Sequence, residues 1–414
     1  MVSPLRERLR RPKRLPLKLP WAVQTTLMIA LAGLLFQLYG AGRAVTALAT
    51  ITGWPKRRLR VGAGALILYL AILPLSLLLG YVFGFNTSFQ GSPLFDRVFT
   101  YPFWIGIAFG VQLFILLVVI GIAKLALLPI YRRNRTKWRS LEAWVVAGVV
   151  GVTAVYVTAR VYSDTFLLRT RSAELRVAGL PEELGGFRIV HIADIQVDRR
   201  TNGSKLDTYV DTINGLKPDL ILFSGDTVTS GTAFVDQAAE ALGKLRSRYG
   251  TYACLGDHDY FADFRLVVDR LQTHGVVVLQ NETATVPVGK GSIVITGVTN
   301  VYRNQLSDGV VDKLARERPE GSTSILLTHQ PSTWLVGTAA DRKYDLFLAG
   351  HTHGGQIVFP LPGFLLTGSS FETKYVTGFH NVGSMLVSIN NGLGLTLAPI
   401  RYHAPAEITL IVLR

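Results

Sequence analysis

The chain of 414 residues has one cysteine, Cys254. A single thiol excludes an internal disulfide and a cysteine-built zinc site. It lies in an apolar run three residues before Asp257 and reads as a small core residue. Acidic residues are scarce as well, but only in the first part. Residues 1–170 carry 4 Asp/Glu against 21 Lys/Arg, a net of +17, whereas residues 171–414 carry 24 against 22, a net of −2; the two sum to the overall +15. The basic balance therefore belongs to one region and not to the whole molecule. No solenoid-type repeat and no low-complexity tract is present, and the length leaves room for two or three domains.

Charge is missing from four long stretches of that first region, at about residues 21–39, 61–83, 101–123 and 143–159. Each approaches the ~20 residues that carry a helix across a bilayer. Trp21, Tyr101, Trp104 and Trp144 lie near their ends, where aromatic side chains anchor at the membrane interface. Buried helices of a soluble protein are the alternative, and the confinement of charge to the segments between the stretches argues against it. Leu38-Tyr39-Gly40-Ala41-Gly42 is a poor cleavage site, so the first stretch does not read as a signal peptide. The arm 1–20, with its cluster of Arg and Lys, fits a lipid headgroup surface better than a nucleic acid. Loops 40–60 and 130–140 are basic, while 84–100 has only Arg97. The positive-inside rule then puts 84–100 outside, and with four spans it puts the carboxy-terminal domain outside too, leaving the basic arm as the exception. The expected organisation is an arm over 1–20, a four-helix transmembrane region over 21–165 and a hydrolase-like domain over 171–414 in a multi-pass protein of the cell membrane.

From residue 187 the pattern changes. Short apolar runs at 187–192, 220–223, 252–255, 324–327 and 345–349 alternate at first with amphipathic faces such as Leu206/Val210/Ile213, Phe234/Ala238/Leu242 and Phe264/Val267/Val268/Leu271. This predicts βαβ units with a parallel sheet, followed by a strand-rich second half. Polar clusters follow the runs: Asp194-Ile195-Gln196, Gly225-Asp226, Gly256-Asp257-His258-Asp259, Thr328-His329-Gln330 and Gly350-His351-Thr352-His353-Gly354. In open α/β sheets ligands bind beyond the carboxyl ends of strands, and oxygen and nitrogen donors gathered there suit a metal hydrolase. Each cluster alone is weak: a lone Gly-Asp is usually a turn. Together, each at a strand end, they point to a centre for two metals in which Asp226 bridges and Asp194, Asp257, His329, His351 and His353 flank.

The ordered set resembles the calcineurin-like metallophosphoesterase superfamily, whose motifs run D-x-H, G-D, G-N-H-[DE], an isolated His and G-H-x-H. The block Gly350-His351-Thr352-His353-Gly354-Gly355-Gln356 and the closing pattern Gly392-Leu393-Gly394, Pro399, Arg401 and Pro405 are similar to its membrane-associated bacterial branch. The resemblance covers about residues 185–414. It implies an α/β (α+β) domain with two β-sheets flanked by helices, in-line attack of metal-bound hydroxide on a phosphoester, and two divalent ions (Mn, Zn or Fe). It further implies that Asp194, Asp226 and His353 bind the first ion, that Asp226, Asp257, His329 and His351 bind the second, and that His258 protonates or stabilises the leaving oxygen. Gln196 stands where the pattern has His, and Asp257 where it has Asn. Both changes shift the donor set toward oxygen, which favours Mn; the rival consequence is a weakened first site.

The expected function is a membrane-anchored phosphomono- or phosphodiesterase. Its preferred substrates are phospholipid, lipid-linked or cell-envelope phosphoesters, because tethering raises their effective concentration. A sensor or scaffold without turnover is the alternative, with Gln196 as its support. A transport role is weaker, since the stretches hold few polar groups beyond Gln24, Gln37 and Gln112. His191 reads as a packed strand residue, Asp198 and Asp259 as loop carboxylates or ligand-orienting groups, Tyr375 as a groove or core residue, and His274, His380 and His403 as outside any motif.

Overall fold

The computed structural model describes residues 20–83, 92–127, 129, 132, 134–307 and 309–414. The arm, apart from Pro20, and the segment 84–91 lie outside them. The chain divides into two compact units, residues 1–156 and 157–414.

In the first unit, three helices are long and apolar enough to cross a membrane: Trp21–Thr52, Pro93–Ala126 and Arg135–Phe166, the last running on into the second unit. The remaining apolar stretch is broken. Helices Lys56–Leu70 and Ile72–Phe83 meet at a 48° bend and count as one span only as a pair. Proline explains the bend, because Pro74 has no N–H to give the Leu70 carbonyl and its ring crowds that oxygen. The helix from Pro93 starts earlier than the sequence pattern indicated. Ser92 caps it by accepting the Phe95 N–H at 3.3 Å, with Pro93 at the first position. A π-helical segment, Asp96–Thr100, precedes Pro102. Pro102 leaves the Val98 carbonyl without its helical donor, and the Tyr69 hydroxyl donates to that oxygen instead. Glu142 pairs with Arg43 at 3.1 Å and Lys124 at 2.7 Å, so charge inside this unit is matched by charge.

The second unit holds two six-stranded sheets. The first has the order β1 (Arg169–Leu175), β14 (Glu407–Leu413), β2 (Arg188–Ile192), β3 (Leu220–Phe223), β4 (Thr251–Ala253), β5 (Val276–Val278). Strands β2 to β5 are parallel, and β14 runs antiparallel to β2 but parallel to β1. The second has the order β12 (Gly378–Val382), β13 (Met385–Ile389), β9 (Leu346–Ala349), β8 (Thr323–Leu327), β7 (Gly291–Gly297), β6 (Glu282–Val288), with β13, β9, β8 and β7 parallel. A hairpin of β10 (Phe359–Leu361) and β11 (Phe364–Leu366) stands apart.

The strands are near-continuous apolar runs because both faces are covered. Ile189, Leu220, Leu222 and Cys254 meet Ile295, Ile325, Leu346 and Leu348 between the sheets. The alternate residues Val190, Ile192, Ile221 and Phe223 turn outward onto helices Ser204–Gly215, Val235–Gly243 and Phe264–Thr273. On the other side Phe347 and Val387 pack with helices Val310–Arg316 and Thr333–Asp341. The result is the expected α/β domain of two sheets flanked by helices. Cys254 is a buried core residue, and burial raises its thiol pKa.

Candidate metal centre

Five parallel strands end at one place. After β2 come Asp194 and Gln196, after β3 Asp226, after β4 Asp257 and His258, after β8 His329, and after β9 His351 and His353. Asp194, Gln196, Asp226, His351 and His353 all have positive φ, from 41° to 69°. Such backbone is rare outside glycine and gathers where function holds strain. The turns touch: a Cβ on Gly225, itself at φ 87°, would lie 2.4 Å from the Gly256 nitrogen, and one on Gly256 would lie 2.2 Å from Asp226 Oδ1. Glycine at both positions lets the β3 and β4 turns close together beneath Asp226.

Two groups have ligand atoms within 4.8 Å of one another: Asp194, Asp226 and His353, and Asp257, His329 and His351. Asp226 reaches both. Its Oδ2 accepts the Gln196 amide at 2.9 Å, while its Oδ1 lies 3.5 Å from His329 Nε2 and accepts the His258 N–H at 2.8 Å. Asp257 Oδ2 lies 3.0 Å from His351 Nδ1 and 3.4 Å from His329 Nε2, and its Oδ1 accepts the Tyr302 N–H at 2.7 Å. His353 Nε2 lies 3.5 Å from Asp194 Oδ1 and 3.3 Å from the Gln196 amide. Gln196 lies beside the first group, with its amide nitrogen toward Asp226 and His353. His258 sits at the rim, 21% exposed. Its Nδ1 donates to the Thr229 carbonyl, so Nε2 faces inward, 4.0 Å from Asp226 Oδ2.

The donor chemistry fits a divalent cation in both groups. His329 Nδ1 is committed to the Ser224 carbonyl at 2.8 Å, which turns Nε2 inward. That buried Nε2, together with Gln196 Oε1 and His353 Nδ1, has no hydrogen-bond partner among the described residues. Three carboxylates share this buried volume. Burial, reinforced by Asp226, pushes Asp194 up to about 7 against the pull of His329 and His351. Burial would also raise Asp257, but the neighbouring His329 and His351 imidazoles hold it well below the carboxylate range. Burial would lower His329, yet Asp226, Asp257 and Asp194 raise it well above the usual value. The field that holds a proton on His329 attracts any cation, so cation binding there is a competition with protons.

Other residues support the centre. Asp259 is fully buried and accepts the N–H groups of Gly256, Thr227 and Asp226 at 2.8, 2.8 and 3.0 Å, tying the two turns together. Gln330 donates to Asp257 Oδ2 at 2.8 Å. Glu372 lies 3.1 Å from His351 Nε2 and accepts the Tyr302 hydroxyl at 2.6 Å. Burial would lower His351, but Asp257 and Glu372 outweigh it and raise it to about 9. The guanidinium of Arg401, fully buried, donates to the carbonyls of His353, Ala404, Gly392 and Gly394. Tyr302 and Glu372 carry no local sequence signal, since they lie 49 and 21 residues from His351 in the chain. His191 bonds Ser224 Oγ at 2.9 Å inside the sheet, and Tyr375 lies in the core. Asp198 folds its own loop by accepting the N–H groups of Arg200 and Thr201. His274 and His380 bond local carbonyls.

A family profile described as calcineurin-like phosphoesterase matches residues 187–355. The chain is 31% identical over 275 residues to the uncharacterized metallophosphoesterase YkuE of Bacillus subtilis, covering 65% of this chain and 93% of that one. It is 32% identical over 252 residues to a zebrafish (Danio rerio) protein called transmembrane protein with metallophosphoesterase domain, covering 58% of this chain and 56% of that one. To an uncharacterized metallophosphoesterase of Campylobacter jejuni it is 28% identical over 308 residues, covering 73% of this chain and 78% of that one. With the motifs, the sheets and the paired Asp/His groups in agreement, this chain belongs to the calcineurin-like metallophosphoesterase family.

Proposed function

We propose that the chain is a membrane-anchored phosphoesterase that uses two divalent ions, Mn²⁺ foremost, to hydrolyse phosphomono- or phosphodiesters. The observation that carries this reading is Asp226, between two Asp/His groups that follow the carboxyl ends of strands from both sheets, with His258 at the rim. Asp194, Gln196, Asp226 and His353 would hold one ion, and Asp226, Asp257, His329 and His351 the other. When bound, such a pair supplies Lewis acidity that eases ionisation of a water and offsets phosphoryl charge. In the hydrolysis a water oxygen bonds to phosphorus and the ester P–O bond breaks. The Thr229 carbonyl keeps one proton on His258 Nδ1, so it is the imidazolium form whose Nε2–H gives a proton to the leaving oxygen, and a proton released by the attacking water restores it. Asp259 and Arg401 keep the turns at their spacing.

The preferred substrates are phosphoesters carried by lipid or by the cell envelope, since the spans hold the domain at a membrane. The loop charges favour a domain on the outer face of the cell membrane. A second reading draws on Gln196, whose amide occupies Asp226 Oδ2 and whose neutral oxygen is a weaker donor than imidazole. It makes the domain a metal-binding sensor without turnover. The test is hydrolysis of p-nitrophenyl phosphate and its bis ester by the full chain in detergent, with Mn²⁺, Zn²⁺, Fe²⁺ or Co²⁺ added singly. Metal-dependent turnover that Asp226→Asn abolishes supports the enzyme. One metal per chain with no turnover of either ester supports the sensor.

A further inference from the structure

The apolar hairpin of β10 and β11 has no part in the chemistry above, and its surface is unusual. Residues 357–371 carry no charged side chain. Phe364 at the turn is 57% exposed and Phe371, just beyond β11, is 87% exposed. Among the described residues, no large apolar side chain on the membrane-spanning helices is as exposed as Phe371. Exposed apolar patches of this kind mark a binding surface.

The root of the hairpin says what covers it. Ile357 bridges to Tyr402, the Val358 N–H donates to the Tyr402 carbonyl, and Phe359 meets the Tyr402 ring at 5.5 Å. The residues beside Tyr402 are tied to the end of the helix Arg135–Phe166, whose residues 157–166 belong to this same unit. The Arg401 N–H donates to Thr165 Oγ1 at 2.8 Å, and the His403 N–H to Asp164 Oδ2 at 2.7 Å. That helix is long and apolar enough to cross a membrane, and its apolar stretch ends at Ala159. At about 1.5 Å per residue, Asp164 stands roughly 8 Å past that point. Three-residue strands reach about 10 Å from their root. The root of the hairpin therefore lies beside the end of that helix, and the hairpin's length matches the distance back to the apolar stretch. Arg160 is paired with Asp164 at 2.8 Å, while Arg169, exposed on the same stretch of chain, suits anionic headgroups.

We infer that the hairpin 359–366, with Phe371, is a membrane-surface anchor: Phe364 and Phe371 enter the headgroup layer of the bilayer that the chain spans. The far end of this segment reaches the metal centre. Thr367 Oγ1 donates to the Gly355 carbonyl at 2.6 Å, Ser369 Oγ donates to the Thr352 carbonyl at 3.0 Å, and Glu372 pairs with His351. An inserted hairpin thus sets the His351–His353 loop against the lipid surface. The inference stands on exposure and connectivity, and turnover is not needed to test it.

The test uses the full chain in nanodiscs of phosphatidylcholine and phosphatidylglycerol. Phe364→Cys and Phe371→Cys are each labelled with an environment-sensitive nitrobenzoxadiazole; Cys254 is buried. Lys290→Cys, in the β6–β7 turn at the opposite edge of the sheet from the centre, is the control. Either hairpin position alone suffices if the other variant melts below wild type. The expected result is that nitroxide-labelled lipids quench the hairpin labels by half or more and leave the control unchanged, while aqueous iodide quenches the hairpin labels several-fold less than the control. Equal iodide quenching at all positions overturns the inference. Shielding from iodide without quenching by lipid also overturns it, in favour of a second copy or a protein partner.

Discussion

Replacing Arg401 by methionine removes the cation that joins the two loops of the first metal group. The side chain is fully buried, and methionine approximates its apolar length. Four carbonyls lose a donor. Those of His353 and Gly392 keep a backbone partner, Gln356 N–H and Glu407 N–H respectively. Those of Ala404 and Gly394 have no other backbone donor among the described residues. Leaving a buried carbonyl unmet costs about 1–3 kcal/mol, so two cost roughly 2–6 kcal/mol. Against this stands relief of a buried charge, whose burial lowers the guanidinium to about 10. The expected net loss is about 3 kcal/mol, or a melting point lower by roughly 6–12 °C for a unit of this size. The effect on metal is selective. Arg401 holds the His353 carbonyl and also Gly392 and Gly394, and the Leu393 and Gly394 N–H groups in turn hold the Asp194 carbonyl. Affinity at the Asp194/Asp226/His353 group should fall about 10–100-fold, with the Asp257/His329/His351 group unchanged. Calorimetric titration of the full chain in detergent with Mn²⁺ reads both groups. Unchanged melting, or equal weakening of both groups, would refute the reasoning.

Three further outcomes follow from the geometry. Glu372→Gln removes the charge paired with His351 Nε2, so Mn²⁺ affinity at the second group should fall about tenfold with the melting point nearly unchanged; the same titration checks it. Gly256→Ala puts a methyl where Asp226 Oδ1 sits, and a shift of about 1 Å there should lower turnover of a chromogenic phosphoester about 100-fold or more. His191 has its pKa lowered to about 3 by burial, below the 6.5 of an unfolded chain, so the unfolded state binds the extra proton. Its contribution to stability is complete above pH 6.5 and is lost as pH falls toward 3, at about 1.4 kcal/mol per pH unit. Denaturation of wild type and His191→Gln across pH 4–7 should show a shallower slope for the variant, and equal slopes would count against it.

The centre was legible because strand ends are written in sequence. An apolar run of four or five residues followed by Asp or His is a local signal, and the five clusters stayed in register with the five strands β2, β3, β4, β8 and β9. The supports were not legible, because they act across the chain. Asp259 looks like a loop carboxylate until the β3 and β4 turns meet around it, and Glu372 meets His351 only through the connection after the hairpin. Arg401 entered as part of a pattern; its burial among carbonyls is a tertiary fact. In the first unit, apolar length showed where helices form but not where they break. Pro74 was visible, yet the bend it makes depends on the Leu70 carbonyl, and the hydroxyl that meets the Val98 carbonyl comes from Tyr69 on a helix distant in sequence.

Strand β14 lies between β1 and β2, although it is made more than two hundred residues after both. The first sheet is therefore open along its middle, and β2 has only β3 as a neighbour, until residues 407–413 emerge. Closing so long a loop delays pairing. The spanning helices, whose hydrogen bonds are local, have no such wait. Folding then runs in a fixed sequence: the helices of the first unit form early, and the first sheet of the second unit is completed only when β14 threads into place. A nascent chain stalled before residue 407 would be tethered but without a finished sheet, and hence without a finished centre.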